Sequence, residues 1–191
     1  MQHAERVSQK LSADMKTEGE IRPTDIAPVI APSRDTRRPD AFPMRWGFTH
    51  PRRGMLVFNT RFETACDKDM FAASVGSRRC LIPASCYYEW KKTDSGKKER
   101  YSFYAEDGEL LLLAGLYVPV PGLKLPCFTI LTRDADRSIR DLHPRMPVLV
   151  PQCRAEEWLS PGTDFLGFIG DMNVNVVPEP FRGFGAERLL P

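Results

Sequence analysis

Apolar residues at Ala4, Val7, Leu11 and Met15 recur at helical spacing. They predict a short amphipathic helix over 4–15, closed by Gly19 and Pro23. Between 21 and 43 prolines crowd in and the periodicity is lost, so this stretch reads as an extended loop ordered by packing. From Met44 onward the pattern changes to short apolar runs. Residues 44–48 and 55–58 read as strands around a turn at 50–54, and 63–75 as a helix ending at Gly76. Residues 79–83 and 87–91 are rich in strand formers, and the polar turn 93–98 makes 87–92 and 100–105 a hairpin. The most apolar run, 109–118, is expected to be a central strand, and 128–132 another. A short polar helix follows over 134–142, then a strand at 148–150, a helix at 152–159 and a last strand at 174–177. Many strands with a few interposed helices, no repeat and no linker predict a single α+β domain over 1–191. Its expected form is a mainly antiparallel curled sheet or partly open barrel.

Composition narrows the setting. With 191 residues the chain is long enough to bury a core. No apolar run approaches the roughly 18–20 residues that span a bilayer, and the polar start lacks a secretory h-region. A cytoplasmic protein with no membrane partner is the expectation. The cysteines (Cys66, Cys80, Cys86, Cys127, Cys153) form no C-x-x-C pair and lie far from the three histidines. That argues for free thiols and against a metal site; no cofactor is implied. The net charge of +2 neither demands nor excludes nucleic acid. A local bias is more informative: Arg34, Arg37, Arg38, Arg45, Arg52, Arg53 and Arg61 form a strip suited either to a phosphate groove or to solvated loops.

Three segments, 58–64, 81–92 and 141–150, place reactive polar groups in apolar, strand-like runs. On the strand 87–92, Tyr87 and Glu89 face one way and Tyr88 and Trp90 the other. A carboxylate among aromatics has a raised pKa and suits proton transfer, whereas on an edge strand Glu89 would pair with Lys91 or Lys92. His143, before Pro144, is either an acid/base or a structural cap. Arg145 suits a phosphate or a partner carboxylate. Asn59 and Arg61 share one face of the strand 57–62, with Phe58, Thr60 and Phe62 opposite. Asn59 can hold an oxygen or imine and Arg61 a phosphate; a hydrogen-bonded strand end and a surface ion pair explain them equally. Glu63 fits a helix start paired with Arg61, and Thr132 a cap for 134–142 or a hydroxyl at a strand end.

The order and spacing of W-G-F (46–48), N-T-R-x-E-T (59–64), R-R-C-L-I-P-A (78–84), Y-Y-E-W-K-K (87–92), A-G-L (114–116), I-L-T (130–132) and H-x-R-M-P (143–147) resemble the SOS response-associated peptidase family. The resemblance runs from about Glu20 to the last strand. It implies a sensor of abasic sites in single-stranded DNA, nucleoid-associated when DNA-bound. In the family, the α-amine of an N-terminal Cys forms a Schiff base with the opened sugar, and its thiol closes a thiazolidine. By this resemblance Asn59 orients the N-terminal residue and the intermediate, Glu89 shuttles protons, and His143 assists proton transfer at the sugar. Arg61 and Arg145, with Thr132 nearby, hold the DNA backbone or sugar, and Trp46, Arg52 and Arg53 are further DNA contacts.

Two departures from the family pattern stand out. The family start reads Met-Cys-Gly-Arg, and this chain reads Met1-Gln2-His3-Ala4. The expectation is that a strand and its turn, ~10–15 residues, precede the helix 4–15 in the complete family member. The turn 50–54 also carries arginines where some members place aromatic wedges, which favours phosphate contact over stacking. Two alternatives stay open: an N-terminal-Cys peptidase on the same fold, and a non-catalytic single-stranded DNA-binding module using Arg52, Arg53, Arg61 and Arg145. Oligomeric state is left undetermined.

Overall fold

The computed structural model describes residues 15–168, 172 and 174–183. The helix expected over 4–15 lies outside these, apart from Met15, which forms an isolated parallel bridge with Ile26. The prolines of 21–43 conceal a hairpin rather than a loop: β1 (Ile26–Pro32) runs antiparallel to β2 (Pro39–Trp46). Pro28 stands opposite Pro43 and Pro32 opposite Pro39. Paired prolines cannot exchange N–H···O bonds, so these are non-hydrogen-bonded pairs and the missing donors cost the ladder nothing. The alternate positions Ala27, Val29 and Ala31 point into the core.

Past the left-handed Gly47 comes a small hairpin of β3 (Phe48–Thr49) and β4 (Leu56–Val57), followed by β5 (Asn59–Arg61). The helix expected over 63–75 is broken. A 3-10 turn at Phe62–Thr64 precedes α1 (Asp69–Ser77). Phe62 and Phe71 are both buried, yet residues nine apart lie about 180° from each other on a continuous helix. The break lets both reach the core.

Then come β6 (Arg79–Ala84), β7 (Tyr87–Lys92), β8 (Lys98–Ala105), β9 (Leu111–Val118), β10 (Cys127–Asp134) and β11 (Arg145–Pro147). A 3-10 turn (Gln152–Arg154) leads into α2 (Ala155–Leu159), and β12 (Val176–Pro180) follows, a little beyond its expected position. The helix expected over 134–142 is instead two successive turns: the Asp136 carbonyl accepts from Ile139 and Arg140, and the Ile139 carbonyl from Leu142 and His143. Pro144 disfavours helical backbone at His143 and stops propagation there.

The large sheet runs β11-β10-β2-β1-β6-β9, and β9 also pairs with β10 while β5 lies parallel to β10. It is therefore a curled sheet, a partly open barrel with thin seams. One seam has two register pairs, Cys127↔Arg45 and Phe128↔Trp46, and another a single pair, Ile30↔Leu81. Its central strands are buried on both faces. Leu111, Leu113, Phe128 and Ile130 meet Tyr87 and Phe103 of the small sheet β12-β8-β7. Ala114, Leu116 and Leu131 meet Phe71 of α1 and Trp158 of α2. Gly115 lies where backbones approach closely: a Cβ there would sit 2.6 Å from Ile82 Cδ1 and 2.9 Å from the Thr129 carbonyl oxygen. Among the described residues no helix is long and apolar enough to cross a membrane.

Candidate functional site

The polar segments singled out in the sequence meet around the far end of β10. Thr60 is buried and its hydroxyl lies 3.0 Å from that of Thr129, which fixes β5 beside β10. Asn59 and Arg61 consequently face outward, opposite Ile130 and Thr132. The Phe58 carbonyl accepts from Trp46 Nε1 at 2.8 Å and from the Ile130 N–H at 3.0 Å, so the approach to Asn59 is pinned twice. Trp46 is half-buried, stacked on Phe128 with ring centroids 6.2 Å apart and edge-on to Phe58 at 6.1 Å. Phe58 itself is 37% exposed, so the expected alternation holds for Asn59, Thr60, Arg61 and Phe62 but not for it.

Arg145 is committed to partners within the protein. Its guanidinium donates to both Glu63 oxygens at 2.7 and 2.8 Å, to Asp134 at 2.6 Å and to the Thr132 carbonyl at 2.6 Å, with the Thr132 hydroxyl at 3.4 Å. The bonds from Arg145 hold the Glu63 carboxyl below its ordinary pKa despite partial burial, and those to Glu63 raise the guanidinium's own. Glu63 thus pairs with Arg145, not with Arg61. Thr132 caps no helix; it lies inside β10.

His143 is held by the same segment. Its Nδ1 lies 2.8 Å from the Arg145 carbonyl oxygen and 3.3 Å from the Arg145 backbone nitrogen, so the backbone of Arg145 fixes the ring's orientation. Nε2 then faces Glu89 Oε2 at 3.5 Å. Glu89 stands on β7, the outer strand of the small sheet, but its carboxylate turns to His143 and not to a lysine. Burial pushes its carboxyl above the usual carboxylate range, and the adjacent imidazole offsets this only in part. A carboxyl inclined to hold its proton, facing an imidazole nitrogen, is a proton-exchanging pair.

Glu89 and His143 border an open cleft of ≈ 710 Å³, whose other walls include Trp90, Lys92, Lys98 and Arg140. No hydrogen bond or ion pair joins Asn59 to this pair among the described residues; the two lie on neighbouring elements around β10 and β11. Arg52 and Arg53 are exposed at the tip of the β3–β4 hairpin. The expected arginine strip is split. Arg34, Arg37 and Arg38 lie at the β1–β2 turn, roughly 23 Å from Trp46 along β2 at about 3.3 Å per residue. Sequence reading missed Asp134 as a holder of Arg145, and Lys98 and Arg140 as cleft walls. Only the hairpin register and the return of 140–144 bring these together.

The sequence profile described as SOS response associated peptidase (SRAP) matches residues 1–167, and the chain belongs to this family. It is 33% identical over 155 residues to the abasic site processing protein YoaM of Bacillus subtilis (strain 168), covering 75% of this chain and 68% of that one. It is 30% identical over 161 residues to the abasic site processing protein HMCES of Rattus norvegicus, covering 65% and 45%. A crystal structure of a protein from Bordetella bronchiseptica superposes with a TM-score of 0.74 at 26% identity, covering 93% of this chain and 95% of that one.

Proposed function

We propose that this protein recognises abasic sites in single-stranded DNA and holds the opened deoxyribose beside Glu89 and His143. The observation that carries the reading is the Glu89–His143 pair, 3.5 Å apart with the imidazole held by the Arg145 backbone, at the mouth of an open cleft with cationic walls. Relatives named abasic site processing proteins support the substrate class.

In a family member with a Met-Cys-Gly-Arg start, removal of Met frees the Cys α-amine, which adds to the sugar aldehyde, and water leaves as the Schiff base forms. The thiol then adds across the C=N bond and its proton passes to nitrogen, closing a thiazolidine. Glu89 donates and recovers the proton during ring opening and water loss, and His143 relays it at the sugar oxygen. Asn59 orients the amine and the imine. Arg61, exposed and without an ion pair among the described residues, grips a phosphate, helped by Arg52 and Arg53. Arg145 acts through its partners: its guanidinium fixes Thr132 and its backbone holds the His143 ring. Trp46 holds the strand carrying Asn59.

Fluorescence anisotropy with labelled single strands, intact or with one abasic site, tests the reading. Tighter binding of the abasic strand is expected; equal affinity for both would reduce the protein to a general single-strand binder.

A further inference from the structure

The outer edge of β7 carries an arrangement that folding alone does not account for. Lys92 stands directly opposite Lys98 across the β7–β8 hairpin, whereas the neighbouring Lys91 stands opposite Glu99. Like charges directly opposed across a strand pair are destabilising. Arg140 brings a third cation to the same cleft, on the turn facing β7. Among the described residues no carboxylate pairs with Lys92, Lys98 or Arg140; the only hydrogen bond of the Arg140 side chain, at 3.4 Å, goes to the Ala135 carbonyl. Glu89 is turned to His143, and Asp141 is the one other carboxylate in the lining.

Trp90 completes the set. It shares the β7 face of Lys92, two residues away, and is 45% exposed, against 0% for Trp158. The cleft touches Glu89 and Trp90, whose side chains leave opposite faces of the strand, so it follows the strand's open edge. Three cations with no carboxylate partner among the described residues, beside a half-exposed indole that Arg100 approaches at 5.5 Å, match a nucleic-acid backbone with one base stacked on the open part of the ring.

We propose that this edge carries the DNA on one side of the abasic nucleotide, with phosphates on Lys92, Lys98 and Arg140 and the adjoining base on Trp90. The inference rests on the reading of Glu89 and His143 as the place of the abasic sugar. Because those two residues sit at one end of the cleft, only the strand leaving in one direction can occupy it. Arg61, on β5, serves the sugar and its own phosphates irrespective of that direction.

Anisotropy titrations with the intact chain and the double variant Lys92→Gln/Lys98→Gln test this, using two single strands with the abasic site near the 3′ or the 5′ end. The double variant should weaken binding about tenfold at 0.1 M salt for one strand and leave the other unchanged. For the affected strand the slope of log K against log[salt] should fall by about 1.4. Relief of the opposed lysines means its melting temperature should hold or rise, and quenching of indole fluorescence by the affected strand should vanish in Trp90→Phe. Equal losses for both strands would mean a diffuse field, and no loss for either would mean an unused cleft; both overturn the proposal. If the unaltered protein binds neither strand, the reading of the site itself fails. Arg61→Ala, weakening both strands alike, separates a defect of the site from one of the cleft.

Discussion

Glu63 and Arg145 are 82 residues apart in the chain and meet in a bidentate ion pair at 2.7 and 2.8 Å. The pair ties the turn after β5 to β11, and through the Arg145 carbonyl it also reaches His143. The elements that carry Asn59, Thr132 and His143 are thus fixed to one another by a single residue, through its guanidinium and its backbone.

Glu63→Gln should cost about 0.5–1 kcal/mol at neutral pH, since Glu63 is 43% exposed and water screens the pair. Arg145→Ala should cost about 2 kcal/mol, because it also strips the donors from Asp134 and the Thr132 carbonyl. The Glu63 carboxyl titrates below its ordinary pKa in the folded state. Its stabilisation is present above the unfolded value and lost as pH falls through the folded one. Denaturant melts of the wild type and Glu63→Gln should therefore converge in acid; a constant gap from pH 7 to 3 would contradict the pairing.

Glu89 behaves with the opposite sign. Its carboxyl is raised by burial, so the folded protein holds that proton more tightly than the unfolded chain does. Stability falls as pH rises from the ordinary carboxylate range through the raised value. Glu89→Gln removes the dependence. It should melt above the wild type at pH 8, with the difference shrinking towards pH 4, while affinity for abasic DNA changes little. A wild type that stays the more stable at pH 8 would show the carboxylate to be structurally required.

Gly115→Ala should destabilise by about 1–3 kcal/mol, because the new methyl meets the Thr129 carbonyl and Ile82 inside a strand pair with no room to shift. Urea melts check it: a lowered midpoint with an unchanged slope is expected.

Arg61→Ala should reduce the salt slope for single-stranded DNA by about 0.7 and leave the melting temperature within a degree or two, since Arg61 is exposed and its side chain has no hydrogen bond or ion pair among the described residues. An unchanged slope would remove Arg61 from the DNA path.

The strands of the core were legible where alternation or apolar content was strong. The runs that became β6, β7, β8, β9 and β10 needed only their ends adjusted. The β1–β2 hairpin was hidden because proline is a strand-breaking signal, and only the register shows that its prolines oppose each other harmlessly. The segment after β5 reads as one helix until Phe62 and Phe71 both have to be buried. Glu89, His143, Asn59 and Arg61 stood out as polar groups in apolar runs, and the fold brings the first two together. A carboxylate partner was one of two readings of Arg145, but which carboxylates it meets was not legible, for Glu63 and Asp134 come from separate segments that the pairings of β5 and β11 with β10 bring within reach.

The most direct test of the account is the intact mass of the protein after incubation with abasic single-stranded DNA, for the chain beginning Met1-Gln2 and for one extended by a Met-Cys-Gly-Arg start and its strand. A covalent adduct from the extended chain alone, slowed about 10²-fold by Glu89→Gln, is the expected result. No adduct from the extended chain, or an adduct indifferent to Glu89, would contradict the role given to the Glu89–His143 pair.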